Sequence, residues 1–226
     1  MSNRLALLSE VSITSAFSCL STALDSRLFS EDDDFRLAVK PFCEKLLKDI
    51  KAHMPEKLAH ANRVGKLVTQ FCLHAGMSAE DALIYGEAAR LHDIGYLSRE
   101  RKEWRSNEKP DPALSLRRKI WHTKGGNDIL GQCDSLTHRF ITEARSMARL
   151  HHERLDGKGP HGLTDLPEIV KIVGAIDAFD GDKVPKPGVE PRTPQEALDR
   201  LRTCDKYQGA YDPEIVEEFG RMLGLD

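Results

Sequence analysis

Imidazole and carboxylate side chains at His60, His92, Asp93, His122, His151, His152 and Asp177 are the groups in this 226-residue sequence that could hold metal ions. Three of them continue apolar stripes. His60, Val64, Leu67 and Phe71 step by four, three and four, which is one helical face. His151 ends the series Ile141, Ala144, Ala148, and Asp177 follows Val170 and Val173. A single buried neutral histidine is commonly just a satisfied core residue. A buried carboxylate is rarer, because desolvating it unpaired is costly. Three such coincidences, with the doublets His92-Asp93 and His151-His152, exceed what core filling explains. A divalent metal centre accounts for them: nitrogen and oxygen donors suit first-row metals, and the cation balances the acids. Neighbouring helical residues point about 100° apart, so each doublet can serve one metal only near a helix end or with ligands from elsewhere. Gly95, just after His92-Asp93, reads as a helix-ending signal. Asp93 could then bridge two metals, and a pair roughly 3.5–4 Å apart activates water for in-line attack on phosphorus.

The elements that must position these groups all read as helices. Pro55 suits the first turn of the helix carrying His60. Ser78 with Asp81 resembles a capping box, Thr193-Pro194-Glu196 is another, and Asp212-Pro213 opens a last helix with Ile215, Val216, Phe219 and Leu223. No strand alternation is found, and residues 104–115, 155–168 and 181–194 are irregular. The expectation is an all-α chain: an N-terminal helical accessory region over residues 1–50, then a helical bundle over 51–226.

Hydrophobic residues at 40% support a sizeable core. Five scattered cysteines, an odd number with no CxxC pair, argue against a disulfide framework and for a reducing compartment. No apolar stretch approaches the ~20 residues that span a bilayer, and the N-terminus lacks a signal-peptide pattern, so the cytoplasm is the expected location. The net charge of −3 argues neither for nor against a nucleic-acid or membrane partner, and neither is expected. Residues 99–124, however, hold nine Lys or Arg against four Asp or Glu. That segment is either a solvated face or a phosphate-attracting rim.

LHDIG at 91–95 resembles the signature of HD-domain phosphohydrolases, with His60 in HANRV as the upstream histidine. HHERLDGKGPHGL (151–163), AIDAFDG (175–181) and QGAYDPEIVEEF (208–219) are similar to the HD-GYP family of cyclic di-GMP phosphodiesterases. The resemblance spans roughly residues 54–223. It implies an HD-domain helical bundle in which His60, His92, Asp93 and Asp177 hold one metal, and Asp93, His122, His151 and His152 the second. Glu56, one turn before His60, would serve a third metal where the family has one; an ordinary helix-start carboxylate is the equal alternative. Iron or manganese is the metal that the family implies.

The sequence departs from that family at three places. Tyr96 stands where the family reads HDIGK, the GYP triplet lacks its tyrosine, and Lys186-Pro187-Gly188 replaces an Arg-Pro-Tyr segment. Lys186 falls where a phosphate-contacting arginine is expected, with Lys183 and Arg192 as helpers and Tyr96 as a hydrogen-bond donor. His161 is a candidate proton donor, with a surface loop histidine as the plainer reading. The resemblance therefore implies hydrolysis of a cyclic dinucleotide, most simply cyclic di-GMP. Two alternatives stand beside it: a phosphohydrolase for another nucleotide, and a catalytically weak dinucleotide-binding module that signals to a protein partner.

Overall fold

Short polar side chains cap the helices where the sequence places them. Ser78, Asp111, Thr193 and Asp212 each accept a backbone N–H from their first turn. Proline fills the first turn at Pro55, Pro112, Pro194 and Pro213, where its missing N–H would have had no helical partner anyway. Thr193 and Glu196 close a reciprocal capping box. The computed structural model describes residues 32–104, 111–185, 189–204 and 206–225. Among the described residues there are nine α-helices and no β-strand. Lys186 and most of the expected N-terminal region, residues 1–31, lie outside them.

A π-helical turn, Phe35–Val39, runs straight into α1 (Lys40–His53). Then come α2 (Pro55–His74), α3 (Ala79–Ala89), a 3₁₀ turn (Ile94–Ser98) and the short α4 (Arg101–Trp104). The chain continues through α5 (Pro112–Leu130), α6 (Arg139–Leu150), α7 (Glu168–Asp182), α8 (Pro194–Thr203) and α9 (Pro213–Leu223). One apolar cluster runs from Phe35 to Phe219, so the turn at Phe35 and α1 share their core with the later helices. Cys43, Cys72 and Cys133 are free thiols buried in that core, and burial pushes Cys72 up to about 12.

Close approaches set where the ligand-bearing helices lie. Helix α2 crosses α3 at Gly65 and Gly86, where a Cβ on Gly86 would stand 1.8 Å from Thr69 Oγ1 and 2.8 Å from Gly65 O. Gly86→Ala should therefore destabilise the fold. Overpacking costs about 1–3 kcal/mol, more than the roughly 1 kcal/mol of helix propensity that alanine gains. A urea midpoint at or above the wild-type value would show that the crossing relaxes freely.

Gly95 has a different role from the helix-ending one read in the sequence. Helix α3 stops at Ala89, before His92, and Arg90, Leu91 and His92 bond to carbonyls three residues back, the tightening common at a helix end. Gly95 has no positive φ and sits inside the 3₁₀ turn. It is small because α5 presses on it: a Cβ there would lie 1.8 Å from His122 O and 2.5 Å from Gly126 N. That contact holds Asp93 and His122 in one register.

Candidate metal centre

Five elements bring the seven candidate ligands together. His60 comes from α2, His92 and Asp93 from the turn after α3, His122 from α5, His151 and His152 from the end of α6, and Asp177 from α7. Their ligand atoms form three overlapping groups, each within 4.8 Å: His60 with His92 and Asp177, His92 with Asp93 and His151, and His122 with His151 and His152. Asp93 lies between the two ends. Its Oδ1 is 3.5 Å from His122 Nε2 and 3.6 Å from His151 Nε2, while its Oδ2 is 3.6 Å from His92 Nε2.

Backbone hydrogen bonds choose which nitrogen each ring presents. His92 Nδ1 donates to Ala89 O at 2.7 Å, His122 Nδ1 to Arg118 O at 2.8 Å, and His151 Nδ1 to Met147 O at 2.9 Å. In each case the proton is fixed on Nδ1 and the Nε2 lone pair faces the centre, the arrangement that orients metal-ligating histidines. His92 Nε2 is buried with no hydrogen-bond partner. An orphaned acceptor in the interior is costly, and a cation between His60, His92 and Asp177 would satisfy it. The residues present fit a pair of divalent metals.

Electrostatics prepare the same donors. Burial pushes His122 and His151 down to about 4, and holds His92 and His152 below the ordinary imidazole value. All four are therefore neutral at physiological pH, as ligation requires. Asp93 and Asp177 sink well below the usual carboxylate range despite their burial, Asp93 through Lys57 and the nearby imidazoles, Asp177 through His60. His60 is the exception. Burial opposes its charge, but hydrogen bonds to Asp177 at 2.9 Å and Asp180 at 2.7 Å raise it to about 9.

A proton on His60 must leave before a metal takes Nε2. Metal loading at pH 7.5 should thus release about one proton per chain from this histidine, and apparent affinity should rise with pH until about 9. In the metal-free protein the sign is opposite. The raised value stabilises the fold fully below 6.5, and that stabilisation is lost as pH rises through about 9. Calorimetric titrations with Mn²⁺ in buffers of different ionisation enthalpy read the proton count; a value near zero contradicts a charged His60.

Two groups around the ligands have no counterpart in the sequence reading. Asp180, with its side chain 1% exposed, binds His60 Nδ1 and receives Arg63 Nε at 2.9 Å and Nη2 at 2.8 Å. Lys57 Nζ stands 3.1 Å from Asp93 Oδ2 and 3.9 Å from the centroid of the Tyr96 ring. Helical spacing signals both, since Asp180 is three residues after Asp177, and Lys57 three before His60.

Five of the ligands, His60, Asp93, His122, His152 and Asp177, form the floor of a cavity of about 530 Å³, while His92 and His151 are buried outside its lining. Its walls carry Lys57, Arg118, Lys119, Arg154 and Lys206, with Tyr96, Tyr207 and Tyr211 between them. The basic 99–124 segment divides here. Arg118 and Lys119 face this cavity, whereas Arg99 stacks on Trp121 at 3.9 Å and lines, with Lys124, a neighbouring one. Glu56 is exposed on the cavity rim, outside the three ligand groups.

The expected substrate contacts are placed unevenly. Tyr96 lines the cavity, stacked on His122 at 4.8 Å. Lys183 and Arg192 do not line it. Lys183 Nζ is 4.0 Å from Asp180 and 4.5 Å from the Phe179 ring, and Arg192 turns to Asp182 at 3.7 Å, because these carboxylates are their nearest counter-charges. His161 is likewise outside the cavity lining. Its backbone N–H and that of Leu163 donate to the buried Glu153 carboxylate, each at 2.9 Å, which folds the 154–163 loop.

Among curated proteins, the chain is 25% identical over 196 residues to 3′3′-cGAMP-specific phosphodiesterase 2 of Vibrio cholerae, covering 81% of this chain and 35% of that one. It is 28% identical over 186 residues to phosphodiesterase 3 of the same organism, covering 79% and 38%. The chain thus spans little more than a third of each relative's length. Two solved structures share its fold at 17% identity. The HD domain of the phosphodiesterase PgpH of L. monocytogenes superposes with a TM-score of 0.56, covering 79% of this chain and 94% of that one. Bd1817, an HDG"Y"P protein of Bdellovibrio bacteriovorus, gives 0.53, covering 73% and 51%. The HD domain family matches residues 58–182, the stretch that contains every candidate metal ligand except Glu56. With that match over more than half its length, the chain belongs to the HD domain family, and its motifs are HD-GYP-like.

Proposed function

We propose that this chain is a metal-dependent phosphodiesterase that hydrolyses a purine cyclic dinucleotide, of the class that includes cyclic di-GMP and 3′3′-cGAMP. One observation carries the reading: seven nitrogen and oxygen ligands cluster together, five of them on the floor of a cavity whose walls are cationic and aromatic. The two Vibrio relatives, named for 3′3′-cGAMP, support the substrate class.

His60, His92, Asp93 and Asp177 would hold one divalent ion, and Asp93, His122, His151 and His152 the other, with iron or manganese as the pair. Such a pair, when bound, supplies Lewis acidity at the phosphoryl oxygens and an activated water. The remaining work belongs to this chain's own side chains. Arg118 and Lys119, one turn before His122 on α5, offer positive charge to a phosphate entering over the floor. Tyr207 and Tyr211, ring centroids 5.4 Å apart, give the bases an aromatic wall, and base-on-aromatic stacking contributes about 1–3 kcal/mol per base. Tyr96, held between His122 and Trp104, keeps its phenol at the cavity's edge.

Protein reconstituted with Mn²⁺ or Fe²⁺ should hydrolyse cyclic di-GMP, 3′3′-cGAMP or both, faster than nucleoside monophosphates or (p)ppGpp. A preference for a mononucleotide overturns the substrate class. Tight dinucleotide binding by metal-loaded protein without turnover replaces the enzyme with a sensor.

A further inference from the structure

The geometry points to Lys57 as the cation of this site that contacts the scissile phosphate, delivered from α2 and not from the position after Gly95. The inference rests on the phosphodiester reading above and names a substrate contact within it. Lys57 occupies the first turn of α2, two residues after Pro55, where the positive end of the helix dipole disfavours an ammonium. Local helix physics does not put a lysine there. What holds it is the site: Asp93 at 3.1 Å and the Tyr96 ring at 3.9 Å.

Tyr96 is itself fixed. Its ring stacks on His122 at 4.8 Å with 15° between planes and meets Trp104 edge-on, while Trp104 Nε1 donates to Tyr96 O at 2.8 Å. The ring is therefore a rigid platform that holds the lysine ammonium beside the floor of the cavity. Lys57 lines that cavity with its side chain 27% exposed, and so remains within reach of a ligand. With divalent ions held at the centre, Asp93 would be engaged as a ligand and the ammonium would lose its carboxylate partner. A phosphodiester entering over the floor is then the anion that it meets.

Lys57→Met keeps an unbranched side chain of similar length and removes the charge. In Mn²⁺-loaded protein of verified metal content, it should weaken inorganic phosphate binding by roughly tenfold or more, the scale of one charge-assisted hydrogen bond. KM for the cyclic dinucleotide should rise similarly. Adding Tyr96→Lys to Lys57→Met, which returns an ammonium from the 3₁₀ turn, should recover part of both losses. Wild-type phosphate affinity in the fully loaded Met variant overturns the assignment. So does a loss of metal with unchanged phosphate affinity per loaded site, which would make Lys57 only the counter-ion of metal-free Asp93. If wild-type protein turns over no cyclic dinucleotide, the functional reading fails, and the phosphate measurement still decides the role of Lys57.

Discussion

Replacing Asp93 with asparagine should leave a folded protein that holds neither metal and has lost its hydrolysis. The carboxylate offers Oδ1 to the His122 and His151 side and Oδ2 to the His60 and His92 side. An amide has similar shape, but one oxygen and no charge. Four imidazoles held neutral by burial would then face two cations with Asp177 as the remaining carboxylate among the seven ligands. Turnover should fall by roughly 10²–10³-fold or more, the scale seen when a charge-stabilising group is removed from a water-excluded site. Metal content by elemental analysis should fall with it. Stability should fall as well, because the asparagine leaves Lys57 as an uncompensated charge, and metal-free variant and metal-free wild type make the fair comparison. An asparagine variant with full metal content and ordinary turnover would remove Asp93 from the centre.

Asp180→Asn should weaken metal binding without touching a metal. Asp180 fixes the His60 ring by accepting from Nδ1, and Arg63 clamps both of its oxygens. This is the carboxylate–histidine–metal arrangement, in which the outer carboxylate sets the ring's tautomer and raises its basicity. Losing such a partner weakens metal affinity by roughly 10–100-fold. A merely structural role predicts another pattern: lower thermal stability with unchanged affinity of the folded fraction. The proton released on metal loading separates the two further, since His60 without Asp180 starts less protonated at pH 7.5. Unchanged affinity together with unchanged proton release would exclude a positioning role.

Most of the centre was legible because helical periodicity fixes which side chains share a face. His60 lies on the stripe with Val64 and Phe71, both buried, and His151 follows Ala144 and Ala148 on the buried face of α6. The cap residues at 78, 193 and 212 were legible for a local reason, since a side chain bonding two or three residues onward needs no tertiary information.

Where expectation and structure part, the missing information is direction in space. Lys183 follows the last residue of α7 and Arg192 lies in the segment beyond it, and linear position near Lys186 did not reveal that Asp180 and Asp182 would capture them. Gly95 resembles a helix terminator in one dimension, and only the approach of α5 shows why a side chain is excluded. Lys57 was hidden for the converse reason. Its neighbour Glu56 drew attention as a carboxylate, whereas a lysine beside it reads as an exposed helix-start residue until Asp93 is seen next to it.

Elemental analysis of the purified, anaerobically reconstituted protein tests the central claim most directly. The account predicts about two transition-metal ions per chain, lost together in Asp93→Asn. A wild-type protein that takes up no metal under those conditions would contradict it.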